Sequence, residues 1–288
     1  MRRLGQHFLK NGTVLKDIVK ILELKSGDVV LEVGAGHGEL TSEISNFQFP
    51  ISKNGGVGIT IVAIEKDEKL AELLRVKFSE NKNMEVVDGD ALEIIPKLVS
   101  AGELKTSKWK LVGNIPYYIT GHLLRTIGEL ENKPELCVFM IQNEVAERIC
   151  AVPKMNPVRG CEGPQRTPAP NGMNRLAASI QFWAIAKIVM RVSRENFSPP
   201  PEVDSAVIRL EVINQKPEDR SINYYKTIRM LFAQPRKTIL NNLAANYQPR
   251  KTKEWISEKL QKIDIKPNDR PQNLSIEDIK KIADLLDK

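Results

Sequence analysis

The sequence predicts an α/β chain: a mostly parallel sheet flanked by helices, followed by a small all-helical region at the carboxyl end. Three observations carry this. Short, largely apolar runs such as Val29-Val30-Leu31-Glu32-Val33 recur between amphipathic stripes, the pattern of parallel strands buried on both faces. The first such run leads into a glycine-rich turn that opens a helix, Gly34-Ala35-Gly36-His37-Gly38-Glu39-Leu40-Thr41. Beyond Ile213 only helical periodicity remains, over 224–232, 237–247, 251–262 and 276–286. The boundary between the two regions is placed at 213/214.

The elements follow in order. Leu4 to Lys10 is too short and polar for a core element, and the apolar spacing over 14–24 predicts a helix. After the glycine turn, a strand over 59–64 ends in Glu65, and a helix over 67–78 begins with Asp67 where the helix dipole favours an acid. A strand over 84–87 ends in Asp88-Gly89-Asp90-Ala91-Leu92. The strand over 111–114 runs into Asn114-Ile115-Pro116-Tyr117, and a helix over 123–130, a strand over 137–141 and a helix from 142 to 149 come next. Residues 152–172 are rich in proline and glycine and read as a long loop. A helix over 176–186 and strands over 188–192 and 205–212 close the first region. Between those strands, the prolines of Phe197-Ser198-Pro199-Pro200-Pro201 stiffen a loop that can hold Phe197 toward a site.

Candidate functional residues cluster at strand ends, where open α/β sheets bind ligands. The turn spacing is G-x-G-x-G rather than G-x-G-x-x-G, which suits an uncharged nucleoside better than a pyrophosphate. Glu65 is placed to accept both ribose hydroxyls, and Asp90 an adenine amino group; a helix cap or turn is the competing role for each acid. Asn114 and Tyr117 set an amide acceptor beside an aromatic face, which suits a flat base carrying an amino group.

Charge is uneven along the 288 residues. Residues 216–288 hold 16 Lys/Arg against 10 Asp/Glu, whereas the rest hold 27 against 26. The excess at the carboxyl end points to a polyanionic partner, most economically nucleic acid. Within it, Gln234-Pro235-Arg236-Lys237-Thr238 concentrates basic and amide groups at a helix start, with Arg236 and Lys237 as phosphate contacts. No apolar run reaches membrane length, and Met1-Arg2-Arg3 leads to polar Gln6-His7 rather than a signal-peptide core. Cys137, Cys150 and Cys161 lack metal-ligand spacing and read as free thiols in a reducing cytoplasm. No metal cluster or nucleophilic triad is evident.

Taken together, Gly5-Gln6-His7-Phe8-Leu9, Leu31-Glu32-Val33-Gly34-Ala35-Gly36, Asp88 to Leu92, Asn114 to Tyr117, Gln142 to Arg148, Phe197 to Ser205, Arg236 to Leu243 and Arg270-Pro271-Gln272-Asn273-Leu274-Ser275 resemble the ribosomal RNA adenine N6,N6-dimethyltransferase family, the small-subunit dimethyladenosine transferases. The resemblance covers nearly the whole chain. It implies a Rossmann-like class I methyltransferase sheet (1–213) with a small helical RNA-binding domain (214–288), and S-adenosylmethionine as cofactor. His7 and Leu9 would border that cofactor, with Gly34 under its methionyl part, Glu65 on its ribose and Asp90 on its adenine; Gly36 and Ala91 complete the set. Asn114 would sit between cofactor and target base. The implied target is a pair of adjacent adenines near the 3′ end of small-subunit RNA, met on a precursor particle by a monomeric, cytoplasmic enzyme.

The residues suggest how such a reaction would run. Adenine's exocyclic nitrogen is a poor nucleophile because its lone pair is delocalised into the ring. The Asn114 side-chain carbonyl and the Ile115 or Pro116 backbone carbonyl can accept its two hydrogens and free that pair, while Tyr117 stacks on the base and Phe197 covers its other face. The chain departs from the family in a longer 47–58 link, in the 152–172 segment, and in Ile115 where the small-subunit enzymes have Leu. Ile at that position is common in the related large-subunit enzymes of macrolide resistance, which are one alternative. A non-catalytic assembly factor on the same fold is another. A nicotinamide-dependent oxidoreductase is a third, opposed by the glycine spacing.

Overall fold

In this computed structural model, residues 7–47, 58–104, 108–153, 172–213, 221–247 and 252–286 are described. The 48–57 part of the long link and 154–171 of the proline-rich segment lie outside them, as do Gly5, Gln6 and Cys161. Cys137 is a free, buried thiol.

In chain order the first region contains β1 (Phe8–Leu9), α1 (Gly12–Ile21), β2 (Val29–Val33), α2 (Glu39–Ser45), β3 (Thr60–Glu65), α3 (Glu68–Lys77), β4 (Met84–Asp88), α4 (Ala91–Ala101), β5 (Trp109–Asn114), α5 (Thr120–Glu129), β6 (Leu136–Gln142) and α6 (Asn143–Ile149). After α7 (Arg175–Gln181) come β7 (Ala184–Val192), β8 (Phe197–Ser198) and β9 (Ser205–Val212). Seven strands form one sheet in the order β4-β3-β2-β5-β6-β9-β7. Strands β2 to β6 are parallel, and β9 runs antiparallel between β6 and β7. The chain winds outward from β2 through β3 to β4, then returns to the other side of β2 for β5 and β6. That reversal opens a crevice at the carboxyl ends of β2 and β5.

Strand residues such as Val30, Leu31, Ile64, Leu111 and Val138 are fully or almost fully buried, as helices on both faces require. Caps set several helix starts: Asn11 accepts from the N–H groups of Thr13 and Val14, Asp67 from those of Lys69 and Leu70. One polar device lies inside the sheet. Lys110 of β5 pairs with Asp28 at 2.8 Å, both side chains under 5% exposed, and donates to the carbonyls of Leu22 and Glu23 at 2.9 and 2.6 Å. It ties the end of α1 to the central sheet.

Some elements differ from the sequence reading. No element was read over 91–101; α4 forms there, with Pro96 inside it, because Asp90 caps it, Gly102 in the left-handed region ends it, and Ile95 and Val99 are buried. The helix expected over 176–186 stops at Gln181. From Ala184 the chain pairs with β9, Ala184 opposite Val212 through to Val192 opposite Ser205, and this pairing overrides the helical spacing.

The chain divides into two compact units: Met1–Ala146 with Trp183–Lys216, and Glu147–Phe182 with Pro217–Lys288. The second therefore includes residues on the amino-terminal side of the 213/214 cut. The reason is apolar: Ala177, Ala178 and Phe182 share a core with the carboxyl-terminal helices, Phe182 stacks on Tyr224 with centroids 4.1 Å apart, and the Tyr224 hydroxyl donates to the Ala178 carbonyl at 2.9 Å. Those helices are α8 (Ser221–Leu231), α9 (Ile239–Tyr247), α10 (Lys253–Gln261) and α11 (Ile276–Leu286). Among the described residues no helix is long and apolar enough to cross a membrane.

Candidate active site

The carboxyl ends of β2, β3, β4 and β5 surround a cleft open to solvent. Of the residues singled out in the first unit, His7, Gly34, Gly36, Glu65, Asp90, Ala91, Asn114, Ile115, Pro116 and Tyr117 line it. Lys66 and Tyr118, not singled out, line it too; their only sequence signal is adjacency to Glu65 and Tyr117.

The floor is the glycine turn. Gly34 and Gly36 have φ of +71° and +60°, which favour glycine. A Cβ on Gly34 would meet no protein atom closer than 3.9 Å, so what it would occupy is space in and beside the cleft. A Cβ on Gly36 would press the Phe8 ring at 3.0 Å. Glu65, 4% exposed, pins this turn: one carboxylate oxygen accepts from the Gly36 N–H at 2.8 Å and the other from the Asp67 N–H at 2.9 Å. Beneath the turn, the Thr41 hydroxyl donates to the buried Glu32 carboxylate at 2.6 Å; burial nevertheless pushes that carboxyl up to about 8.

Asp90 does two things at once. One oxygen caps α4 through the Leu92 N–H at 2.9 Å, so the cap role is present, and the other accepts from Lys66 Nζ at 2.7 Å. Burial would raise its pKa, but these two hydrogen bonds outweigh it and hold the carboxyl below the usual range.

Asn114 ends β5. Its Nδ2 donates to the His7 carbonyl at 2.7 Å, which fixes the amide; its Oδ1 has no hydrogen-bond partner among the described residues. The Pro116 carbonyl is engaged by the Ile119 N–H at 3.0 Å and the Thr120 hydroxyl at 3.5 Å, whereas the Ile115 carbonyl is not engaged among those residues. The Tyr117 hydroxyl shares a hydrogen bond with Ser205 Oγ at 3.0 Å, and burial raises its pKa, keeping it neutral.

One expected residue is elsewhere. Phe197 is 4% exposed and packs in the sheet's core, because β8 pairs antiparallel with β1 and sets Phe197 opposite Leu9. Leu9 is equally buried, and it lines a smaller pocket that shares Gly34, Gly36 and Asn114 with the cleft. The ring facing Tyr117 is that of His7, with centroids 6.1 Å apart and planes 28° from parallel. In the second unit, Arg236 and Lys237 are both exposed.

A mostly parallel seven-stranded sheet, a glycine turn after its first parallel strand, an acid ending the next and an Asn-Ile-Pro-Tyr end on β5 define a Rossmann-like class I methyltransferase. The comparisons are more particular. The profile described as ribosomal RNA adenine dimethylase matches residues 1–288. Ribosomal RNA small subunit methyltransferase A of Dehalococcoides mccartyi is 34% identical over 284 residues, spanning 97% of this chain and 86% of that protein. The protein of the same name from Mycoplasma capricolum is 31% identical, spanning 98% and 96%. A solved dimethyladenosine transferase from Plasmodium falciparum superposes with a TM-score of 0.69 at 24% identity, over 96% of each chain, a likeness of fold. The chain belongs to the ribosomal RNA adenine dimethylase family. It is an S-adenosylmethionine-dependent enzyme acting on ribosomal RNA.

Proposed function

We propose that this chain places two methyl groups on the N6 amine of each of two adjacent adenines near the 3′ end of small-subunit RNA, on a precursor particle, as a cytoplasmic monomer. The small-subunit relatives, aligned over nearly their full length, support this target over large-subunit RNA. One observation carries the chemistry: an Asn114 amide held by the His7 carbonyl, with its own Oδ1 left to accept.

The cleft suits S-adenosylmethionine. Gly34 leaves room for the methionyl part, Glu65 is fixed for the ribose, and Asp90 and Ala91 stand at the adenine end, with Gly36 and His7 completing the walls. When bound, this group supplies a methyl on a sulfonium. The protein's part is positioning. Asn114 Oδ1 and, of the two candidate backbone carbonyls, that of Ile115 accept the amine's hydrogens, so the nitrogen lone pair is no longer committed to the ring. Pro116, its carbonyl engaged by the start of α5, fixes the turn. The Tyr117 ring carries the base, which must be single-stranded or flipped out; stacking of this kind is worth about 1–3 kcal/mol. Arg236 and Lys237 hold the RNA backbone.

The direct test is to incubate small-subunit particles and, separately, large-subunit RNA from cells lacking the protein with the enzyme and S-adenosylmethionine, and to read methylation adenine by adenine. Two methyls on each of two adjacent adenines are expected; transfer confined to large-subunit RNA, or none at all, overturns the proposal.

The cofactor contacts have their own test. Removing a hydrogen bond to a charged group typically costs about 1.5–3 kcal/mol, so Asp90→Ala is expected to weaken cofactor binding about 10- to 100-fold in calorimetry. Glu65→Ala should weaken it further, because Glu65 also pins the glycine turn. Wild-type affinity in both variants would remove the assignment.

A further inference from the structure

The basic loop before α9 is a built turn. The Lys237 N–H donates to the Gln234 carbonyl at 2.9 Å, closing a β-turn over 234–237 with Pro235 at its second position, where proline's fixed φ suits it. Pro235, Arg236 and Lys237 are all exposed at its tip. Beneath it, Asn242 of α9 is 2% exposed and spends its whole side chain on the turn's backbone. Its Oδ1 accepts from the Gln234 N–H at 3.0 Å, and its Nδ2 lies 3.0, 3.3 and 3.1 Å from the carbonyls of Gln234, Lys237 and Thr238. A buried amide satisfied only by one loop's backbone fixes that loop's shape: the Gln234 N–H and the Lys237 carbonyl have no other partner among the described residues, whereas the carbonyls of Gln234 and Thr238 also accept from the N–H groups of Lys237 and Asn242. Next to it, Asn241 Oδ1 accepts from the exposed Lys253 of α10 at 3.0 Å, which brings a third cation to the same end of α9.

We infer that Asn242 is a positioning residue for RNA binding, holding Arg236 and Lys237 in a preformed turn, and that Lys253, held by Asn241, is a third contact to the RNA backbone. Phosphate is the group that three exposed cations on one surface suit, and ribosomal RNA is its source here. This rests on the proposed RNA contacts of Arg236 and Lys237. Holding the turn before the RNA arrives removes the ordering cost that a mobile loop would add to binding.

The test uses the full chain and small-subunit RNA, measuring affinity across a salt series, with thermal unfolding and cofactor affinity as controls. Asn242→Ala is expected to bind RNA about tenfold more weakly, with cofactor affinity unchanged and the rate at saturating RNA retained. Pro235→Gly, an exposed change that loosens the same turn without touching the core, should weaken binding about threefold and decides the matter if Asn242→Ala does not fold. Lys253→Gln should lower the slope of log K against log salt by about 0.7–0.9, as loss of one phosphate contact does. In an Arg236→Gln/Lys237→Gln background, Asn242→Ala should add less than twofold, because nothing remains to be positioned. Wild-type affinity in both Asn242→Ala and Pro235→Gly overturns the inference, as does the full tenfold loss recurring in that background, which marks a general structural role. An unchanged slope for Lys253→Gln removes the third contact. If Arg236→Gln/Lys237→Gln itself leaves affinity and slope unchanged, the reading of this face as RNA-binding fails, whatever Asn242 does.

Discussion

Asn114→Ala is expected to lower methyl transfer about 10²- to 10³-fold while leaving cofactor affinity close to wild type, the usual cost of removing one preorganised polar contact at a reacting centre. The structure sharpens the reason. Asn114 Nδ2 is committed to the His7 carbonyl, so the amide cannot rotate freely, and among the described residues no donor competes for its oxygen. The loss should appear in the chemical step, in single-turnover transfer to small-subunit particles with one and two methyls counted separately. Tyr117→Ala should also slow transfer, by releasing the base. Tyr117→Phe keeps the ring and loses only the bond to Ser205, so activity within a few-fold of wild type is expected. A fully active Asn114→Ala enzyme would refute the mechanism; a dead Tyr117→Phe would assign the hydroxyl a role in holding the ring that its face cannot replace.

The largest expected effect on stability lies at Lys110. Lys110→Met leaves the Asp28 carboxylate buried without its cation and the carbonyls of Leu22 and Glu23 without their donor. Breaking a buried pair from one side typically costs about 3–5 kcal/mol, a large share of a domain's net stability. Urea unfolding followed by circular dichroism should show a markedly lower midpoint for the sheet-bearing unit. Exposed pairs such as Lys20–Asp17 and Lys97–Glu93 serve as controls, since pairs of that kind contribute at most about 1 kcal/mol. Should Lys110→Met unfold where the wild type does, the pair adds nothing and β5 is held by its ladders to β2 and β6 and by apolar packing.

Much of the site was readable before any fold was known, for a local reason. Glu65, Asp90 and Asn114 each stand at or just after the end of a parallel strand, and parallel strands announce themselves as short, largely apolar runs. A residue's place at a strand's carboxyl end then puts it in the cleft without knowledge of its neighbours. Gly34 and Gly36 were readable in the same way, because a turn between strand and helix needs their positive φ.

What depended on distant partners was not readable. Phe197 looked suited to cover a base, but its place is set by pairing with Leu9, almost two hundred residues earlier, which turns the ring into the core. The same pairing gives Phe8 and Leu9, read as part of a stretch too short and polar for a core element, a strand of their own. Residues 184–186 carry a helical spacing that loses to the ladder offered by β9. The apolar core that Ala151, Met173, Ala177, Ala178 and Phe182 share with the carboxyl-terminal helices draws them into the second unit, although the charge and periodicity changed only after 213. Electrostatics follows the same division. The sequence by itself determined that Glu32 and Asp90 are acids near a glycine turn. Only the tertiary structure decided that burial drives one toward its neutral form while a lysine and a backbone N–H hold the other ionised, because desolvation and hydrogen bonding act through space rather than along the chain.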